Sequence, residues 1–232
     1  MPTIAERNVV MTPLLQQHES IGTQLKRVDA RLALWLSADL RALLDHKAQA
    51  LQRAGVGRGS LTVGDRAPDF RLPDSQGRIL SLSRLLEAGP VVLTFYHGAW
   101  NPYCSVYLRA LQASLPEIEQ AGGALVAVSP DTPAVAAETA RKNGIGFPLL
   151  CDSANWAARQ YGLVFELPRF VRSAFARVDG AAVKPGDGQT VWLPVPATYA
   201  IDRDGVIRYA STDPDFRTRP EPAEVIEALG GL

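Results

Sequence analysis

The chain has 232 residues, 47% of them hydrophobic and 21% charged, and its 24 basic and 24 acidic side chains cancel at pH 7. That composition suits a globular protein with one sizeable core and an appendage, and it lacks the basic excess that draws nucleic acid or an anionic membrane. No apolar run reaches the roughly 20 residues that cross a bilayer. The opening residues lack the basic-then-apolar pattern of a secretory signal, so a cytoplasmic location is expected. Two cysteines, Cys104 and Cys151, and three scattered histidines, His18, His46 and His97, cannot build a disulfide scaffold or a structural zinc site. In a reducing compartment such a pair is either inert packing or redox chemistry.

From Thr12 to Arg53 apolar residues recur at helical spacing, as in Leu32, Leu36, Leu40, Leu43 and Leu44. Ser37 or Asp39 fits a local cap, which leaves one long helix and a helical hairpin both open. Gly55-Val-Gly-Arg-Gly-Ser60 breaks the pattern as a linker. Residues 1–60 are therefore expected to form a helical extension and linker, with residues 61–232 as the main domain. Such an arm must pack on that domain or on a second subunit, and a homodimer is expected.

Beyond Leu61 strands and helices alternate. Val91-Val-Leu-Thr-Phe-Tyr96 and Ala124-Leu-Val-Ala-Val128 are continuous apolar runs of the kind buried on both faces of a sheet. Helical spacing follows over 102–121 and 133–143, the latter ending at Asn143-Gly144, and a third helix is expected over 153–161. Phe147-Pro-Leu-Leu150 is short and apolar, and 167–190 is irregular. Ala197–Ile201 and Val206–Ala210 flank Asp202-Arg-Asp-Gly205, a hairpin signal, and a last helix spans 221–229. The order predicts an α/β fold, a mixed sheet flanked by helices.

The chemistry concentrates in Phe95-Tyr-His-Gly-Ala-Trp-Asn-Pro-Tyr-Cys104. A buried strand turns through Gly98 and enters a helix at Pro102, a residue suited to the first helical position. Cys104 then falls in the first helical turn, at the carboxyl end of a parallel strand. Free backbone N–H groups and the helix dipole favour a thiolate there, lowering its pKa, and open α/β sheets bind ligands at that edge. The plain alternative is a buried, inert cysteine.

This segment resembles the active-site loop of peroxiredoxins of the alkyl hydroperoxide reductase and thiol-specific antioxidant superfamily, which have a thioredoxin-like fold. Val63-Gly-Asp-Arg-Ala-Pro-Asp-Phe70 is similar to that family's opening strand, and Val195-Pro-Ala-Thr-Tyr-Ala-Ile-Asp202-Arg-Asp-Gly205 to its late hairpin. The resemblance covers about residues 61–232 and is nearest to a branch with a helical N-terminal extension and a Trp-Cys-Pro-Tyr-Cys loop. It implies a peroxidase working through a Cys104 thiolate and sulfenic acid, on hydrogen peroxide or an organic hydroperoxide. An external thiol such as thioredoxin or glutathione would complete the cycle.

The departures matter as much. Asn101 stands where the related branch has a cysteine, so no disulfide can form within the loop. Typical peroxiredoxins have threonine there, and the Asn101 amide could donate a hydrogen bond in its place. His97 replaces the usual proline, either as a polar cap of the strand or as a proton donor or thiolate partner. Pro196 resembles the cis-proline that faces the cysteine in thioredoxin folds, but the arginine usual near it is missing. Arg109 on the same helix could supply that cation, with Arg169 and Arg172 as weaker candidates; a solvated helix position explains Arg109 equally well. Trp100 and Tyr103 are expected to line the site, or else are ordinary core aromatics. Cys151 could resolve a Cys104 sulfenic acid, or simply fill a tight spot beside Asp152. A single-cysteine thiol–disulfide oxidoreductase, and a redox-degenerate fold recruited to binding, remain alternatives. No metal, nucleotide or flavin motif calls for a cofactor.

Overall fold

The computed structural model describes residues 19–34, 36–167 and 191–231. Arg169, Arg172 and the first part of the predicted helical arm lie outside the described residues. The arm is a pair of helices, α1 (Ile21–Leu32) and α2 (Ala38–Arg53). Ser20 caps α1, its hydroxyl accepting from the Thr23 N–H at 3.2 Å, and Ile21, Leu25, Val28 and Leu32 form its buried stripe. That stripe is covered within the chain, because α1 packs on the helix that carries Cys104.

A two-stranded ribbon, β1 (Arg71–Pro73) with β2 (Ile79–Ser81), leads into α3 (Leu82–Ala88) and β3 (Val91–Phe95). Then follow α4 (Pro102–Ala113), α5 (Leu115–Gln120), β4 (Ala124–Ser129), α6 (Pro133–Asn143), β5 (Leu149–Cys151) and α7 (Trp156–Gln160). A second ribbon pairs β6 (Val164–Leu167) with β7 (Val191–Pro194). The chain closes with β8 (Ala197–Ile201), β9 (Ile207–Thr212) and α8 (Pro222–Gly230). The central sheet has the order β5-β4-β3-β8-β9. Its strands β3, β4 and β5 are parallel, with β8 and β9 antiparallel to their neighbours. This is the expected mixed, helix-flanked sheet of thioredoxin-like type.

Every residue of β3 is buried, as a strand between two neighbours and under helices requires. Its register places Phe95 opposite Val128 of β4 and Ala197 of β8, so three elements end together beneath the Cys104 loop. Four local expectations fail. The stretch 63–70 forms turns and loop, because its Gly, Pro and Asp residues favour turns; it meets the start of β9 through a bridge from Arg66 to Val206 and through Gly64 N–H and Asp65 O, each bonded to Ile207 at 2.9 Å. The 102–121 pattern divides at Ser114, where Pro116 enters the first turn of α5. The helix predicted over 153–161 shrinks to α7, five residues long. No cis peptide occurs among the described residues; Pro196 continues an extended path, with Val195 N–H donating to Leu163 O at 2.6 Å and Pro196 O accepting from Asp213 N–H at 3.3 Å. Among the described residues no helix is long and apolar enough to cross a membrane.

Two turns use one device. Asp74 accepts from the N–H groups of Gln76 and Arg78 at 2.8 and 2.9 Å and from the Arg78 guanidinium at 2.7 Å. Asp202 accepts from Asp204 and Val206 N–H at 3.0 and 2.8 Å and from Arg208 at 2.7 Å. Gly77 and Gly205, at φ of 80° and 78°, supply the left-handed residue that each turn needs. Burial alone would raise both carboxyl pKa values, but the donors outweigh it and hold them below the ordinary value. Stability from such a group is present above the unfolded-state pKa and is lost as pH falls through the folded one. Asp74→Asn is therefore expected to cost about 1–3 kcal/mol at pH 7. The gap from the native chain should begin to narrow as pH drops below about 4, which denaturant titrations at pH 7 and pH 3 would measure.

Candidate active site

Between β3 and α4 the chain makes the turn His97-Gly98-Ala99-Trp100. Gly98 has φ of +122°, and a Cβ there would meet Asp131 Oδ1 at 2.8 Å, so glycine is required on both counts. Asp131 pins the turn by accepting from the Ala99 N–H at 2.9 Å. Asn101 caps α4, its Oδ1 accepting from the Tyr103 N–H at 3.0 Å, and Pro102 occupies the first position as expected. Cys104 lies in the first turn, 2% exposed, its own N–H bonded to Asn101 O at 3.0 Å.

Two donors reach the sulfur. Arg219 Nη2 stands 3.7 Å from Cys104 Sγ, and the His97 backbone N–H also donates to it. Burial is the largest influence on this thiol and pushes its pKa up; Arg219 and the His97 N–H pull it down, while Asp131 pushes up. The net direction is upward. The lowered pKa expected from the helix terminus is thus reversed, because desolvation of the buried Cys104 outweighs the Arg219 charge and the His97 N–H.

The remaining predicted residues fall as follows. Asn101 is wholly buried and engaged at both ends, since its Nδ2 faces His97 Nδ1 at 3.1 Å; it builds the cap instead of touching the sulfur. With Nδ1 accepting, the His97 imidazole carries its proton on Nε2. Burial first, and Arg219 second, push its pKa down to about 3, so the side chain is neutral and its backbone N–H is the group that serves the thiol. Trp100 stacks on His97, with centroids 5.8 Å apart and planes at 12°, and donates Nε1–H to His97 O at 3.2 Å. Tyr103 is buried, packs against Phe216 at 5.1 Å, and donates its hydroxyl to Asp29 of α1. Arg109 turns to the end of α6, where Nη1 donates to Asn143 Oδ1 at 2.6 Å; the cation beside Cys104 is Arg219 instead.

Cys151 ends β5, two strands from β3, or about 10 Å across the sheet. Both cysteines are free and buried. Burial, then the charges of Asp131 and Asp74, push the Cys151 thiol up to about 11. The Tyr96 hydroxyl lies within electrostatic reach of both sulfurs.

Sequence reasoning missed Arg219, Asp131, Phe216 and Asp29. Only Asp131 carried a signal, as an acidic residue just past the carboxyl end of β4, beside the loop after β3 in any parallel pairing.

A family model described as AhpC/TSA matches residues 63–210. Chloroplastic peroxiredoxin Q of Oryza sativa subsp. japonica is 28% identical over 174 residues, covering 75% of this chain and 69% of that protein. A putative peroxiredoxin of Mycobacterium tuberculosis is 30% identical over 147 residues, covering 63% of this chain and 82% of its own length. Among solved structures, peroxidoxin BcpB of Mycobacterium tuberculosis superposes with a TM-score of 0.58 at 24% identity, over 74% of this chain and 98% of that one. Peroxiredoxin Q of Xanthomonas campestris gives 0.54 at 22% identity, over 70% and 90%. At those identities the superpositions speak to the fold.

Arg219 is the cation that opposes burial at the sulfur, so its removal must raise the thiol pKa further. In Arg219→Met the midpoint of Cys104 alkylation against pH should rise by at least about 1, with a rate loss of about tenfold at pH 7. Rapid-quench alkylation with mass readout measures both.

Proposed function

The chain belongs to the AhpC/TSA family, and from that premise we propose that it is a thiol-dependent peroxidase in which Cys104 reduces hydrogen peroxide or an organic hydroperoxide. The observation that carries the site assignment is Arg219 Nη2 at 3.7 Å from Cys104 Sγ, in the first turn of a helix. A guanidinium there favours the thiolate and can hold a peroxide oxygen as charge develops on it.

The chemistry balances without a cofactor. The Cys104 thiolate attacks one peroxide oxygen, the O–O bond breaks, and the departing alkoxide takes up the proton lost by the thiol to leave as alcohol or water. The sulfur retains one oxygen as sulfenic acid. An external thiol then forms a mixed disulfide at Cys104 and releases water, and a second thiol restores Cys104 while leaving as a disulfide.

External resolution is favoured over Cys151. That thiol is buried at the end of β5, and a pKa near 11 leaves little thiolate at neutral pH. Asn101 excludes a partner within the loop. The reductant is accordingly a small thiol or a dithiol protein of the glutathione or thioredoxin class. A homodimer completes this reading, on the helical arm and the family resemblance, and light scattering at micromolar concentration tests it, a monomer counting against it.

Treatment with one equivalent of hydrogen peroxide and a sulfenic acid trap should give one adduct on Cys104, visible by intact mass. The adduct should persist in Cys151→Ser and vanish in Cys104→Ser. Turnover with an external thiol should follow the same pattern. Peroxide consumption that survives in Cys104→Ser, or none by the native chain with any thiol donor, would overturn the assignment.

A further inference from the structure

Arg219 has little beneath it to fix its position. Its Nη1 donates to the neighbouring Thr218 O at 2.9 Å, and its guanidinium lies over the Tyr107 ring at 5.8 Å. Where the guanidinium sits is therefore decided by the backbone of the segment 213–221, which joins β9 to α8. That segment is fastened on both sides of Arg219, and on both sides the fastening is the helical extension.

Two residues before it, Arg217 forms a charge cluster. Its Nε and Nη2 donate to Asp215 at 2.8 and 2.9 Å, Asp215 N–H donates to Asp213 at 2.8 Å, and Nη1 pairs with Asp45 of α2. Two residues after Arg219, Glu221 accepts from the first N–H groups of α1, Ile21 at 2.9 Å and Gly22 at 3.3 Å. There a carboxylate meets the positive end of a helix. Within the first anchor, between Asp215 and Arg217, Phe216 turns inward onto Tyr103 at 5.1 Å and His97 at 6.0 Å. Tyr103, on the cysteine helix, is itself bonded to Asp29 of α1. The extension thus holds the arginine-bearing segment and the cysteine-bearing helix together.

We propose that the N-terminal helical pair is a positioning device for the catalytic cation. Asp45 and the amino end of α1, acting through Arg217 and Glu221, set the backbone so that Arg219 reaches Cys104. Asp45, Arg217 and Glu221 are positioning residues, since none of them touches the sulfur. The proposal rests on the assignment of Arg219 as the partner of Cys104.

The test uses the full chain with Asp45→Asn and Glu221→Gln, singly and together, and reads Cys104 alkylation against pH, which needs no peroxide. Asp45 is 55% exposed, so asparagine there leaves the core untouched. The double variant should lose about fivefold in rate at pH 7, with the midpoint moved up toward that of Arg219→Met. Asp45→Glu, which keeps the charge, should recover most of the rate in that series. In an Arg219→Met background the same pair of substitutions should change nothing further, because the group they position is gone. An unmoved midpoint in the double variant, or an equal loss in the Arg219→Met background, would overturn the proposal, whatever happens to the melting temperature. If alkylation responds as expected while no form consumes peroxide, the positioning stands and the peroxidase reading falls.

Discussion

The structure turns on a conflict at one sulfur. Cys104 is placed where a reactive thiol belongs, yet it is only 2% exposed, and burial favours the neutral form. The opposing interactions must come from groups that are already fixed, because a donor that had to reorganise would lose much of its effect. The His97 N–H is fixed by the turn around Gly98, which Asp131 and the close approach of its carboxylate hold in shape. The helix start is fixed by Asn101 and Pro102. The guanidinium comes from a distant part of the chain, on a segment that Arg217 and Glu221 tie to the helical extension.

Much of this was legible in the residues themselves, for a physical reason. A strand buried on both faces, a proline at the start of a helix, and an aspartate and glycine in a hairpin are short-range rules, and β3, α4 and the turn after β8 obey them. Cys104 was located because its place follows from two adjacent elements. Arg219 was invisible because nothing in Arg217-Thr-Arg-Pro-Glu distinguishes a guanidinium that meets Cys104 from a solvated one. Its contact with Cys104 spans 115 positions and exists only after β9 and α8 have docked. At His97 two readings were open, a polar cap and a proton donor. Its ordinary pKa lies near neutrality, but enclosure by Trp100, Phe165 and Phe216 removes the water that a charged imidazole needs. Arg109, chosen because it shares a helix with Cys104, turns instead to the end of α6.

Charge is used in two distinct ways across the molecule. At Asp74 and Asp202 a carboxylate gathers amides and one arginine within a few residues, so each turn is locally complete and helps fix the sheet ends. At Asp45, Arg217 and Glu221 the bonds to the other end of the chain join partners between 172 and 200 positions apart. Exposed pairs of this second kind contribute little to overall stability one by one. Their value is geometric, in fixing which backbone lies against which, and a network can do this even where each member is weak.

That distinction bears on how loss of a family feature should be judged. The arginine usual beside the late hairpin is missing, and Pro196 with its neighbours leaves no cation there. Taken alone, this suggests a site that has lost its chemistry. The requirement, however, is for positive charge near the sulfur, not for an arginine at one position in the chain. A different segment can meet it if something holds that segment in place. Here the segment after β9 carries the cation, and a helical extension that the matched family region does not include holds the segment. On the proposed reading the cation and the extension go together, since a guanidinium supplied from a loop works only as well as the loop is anchored.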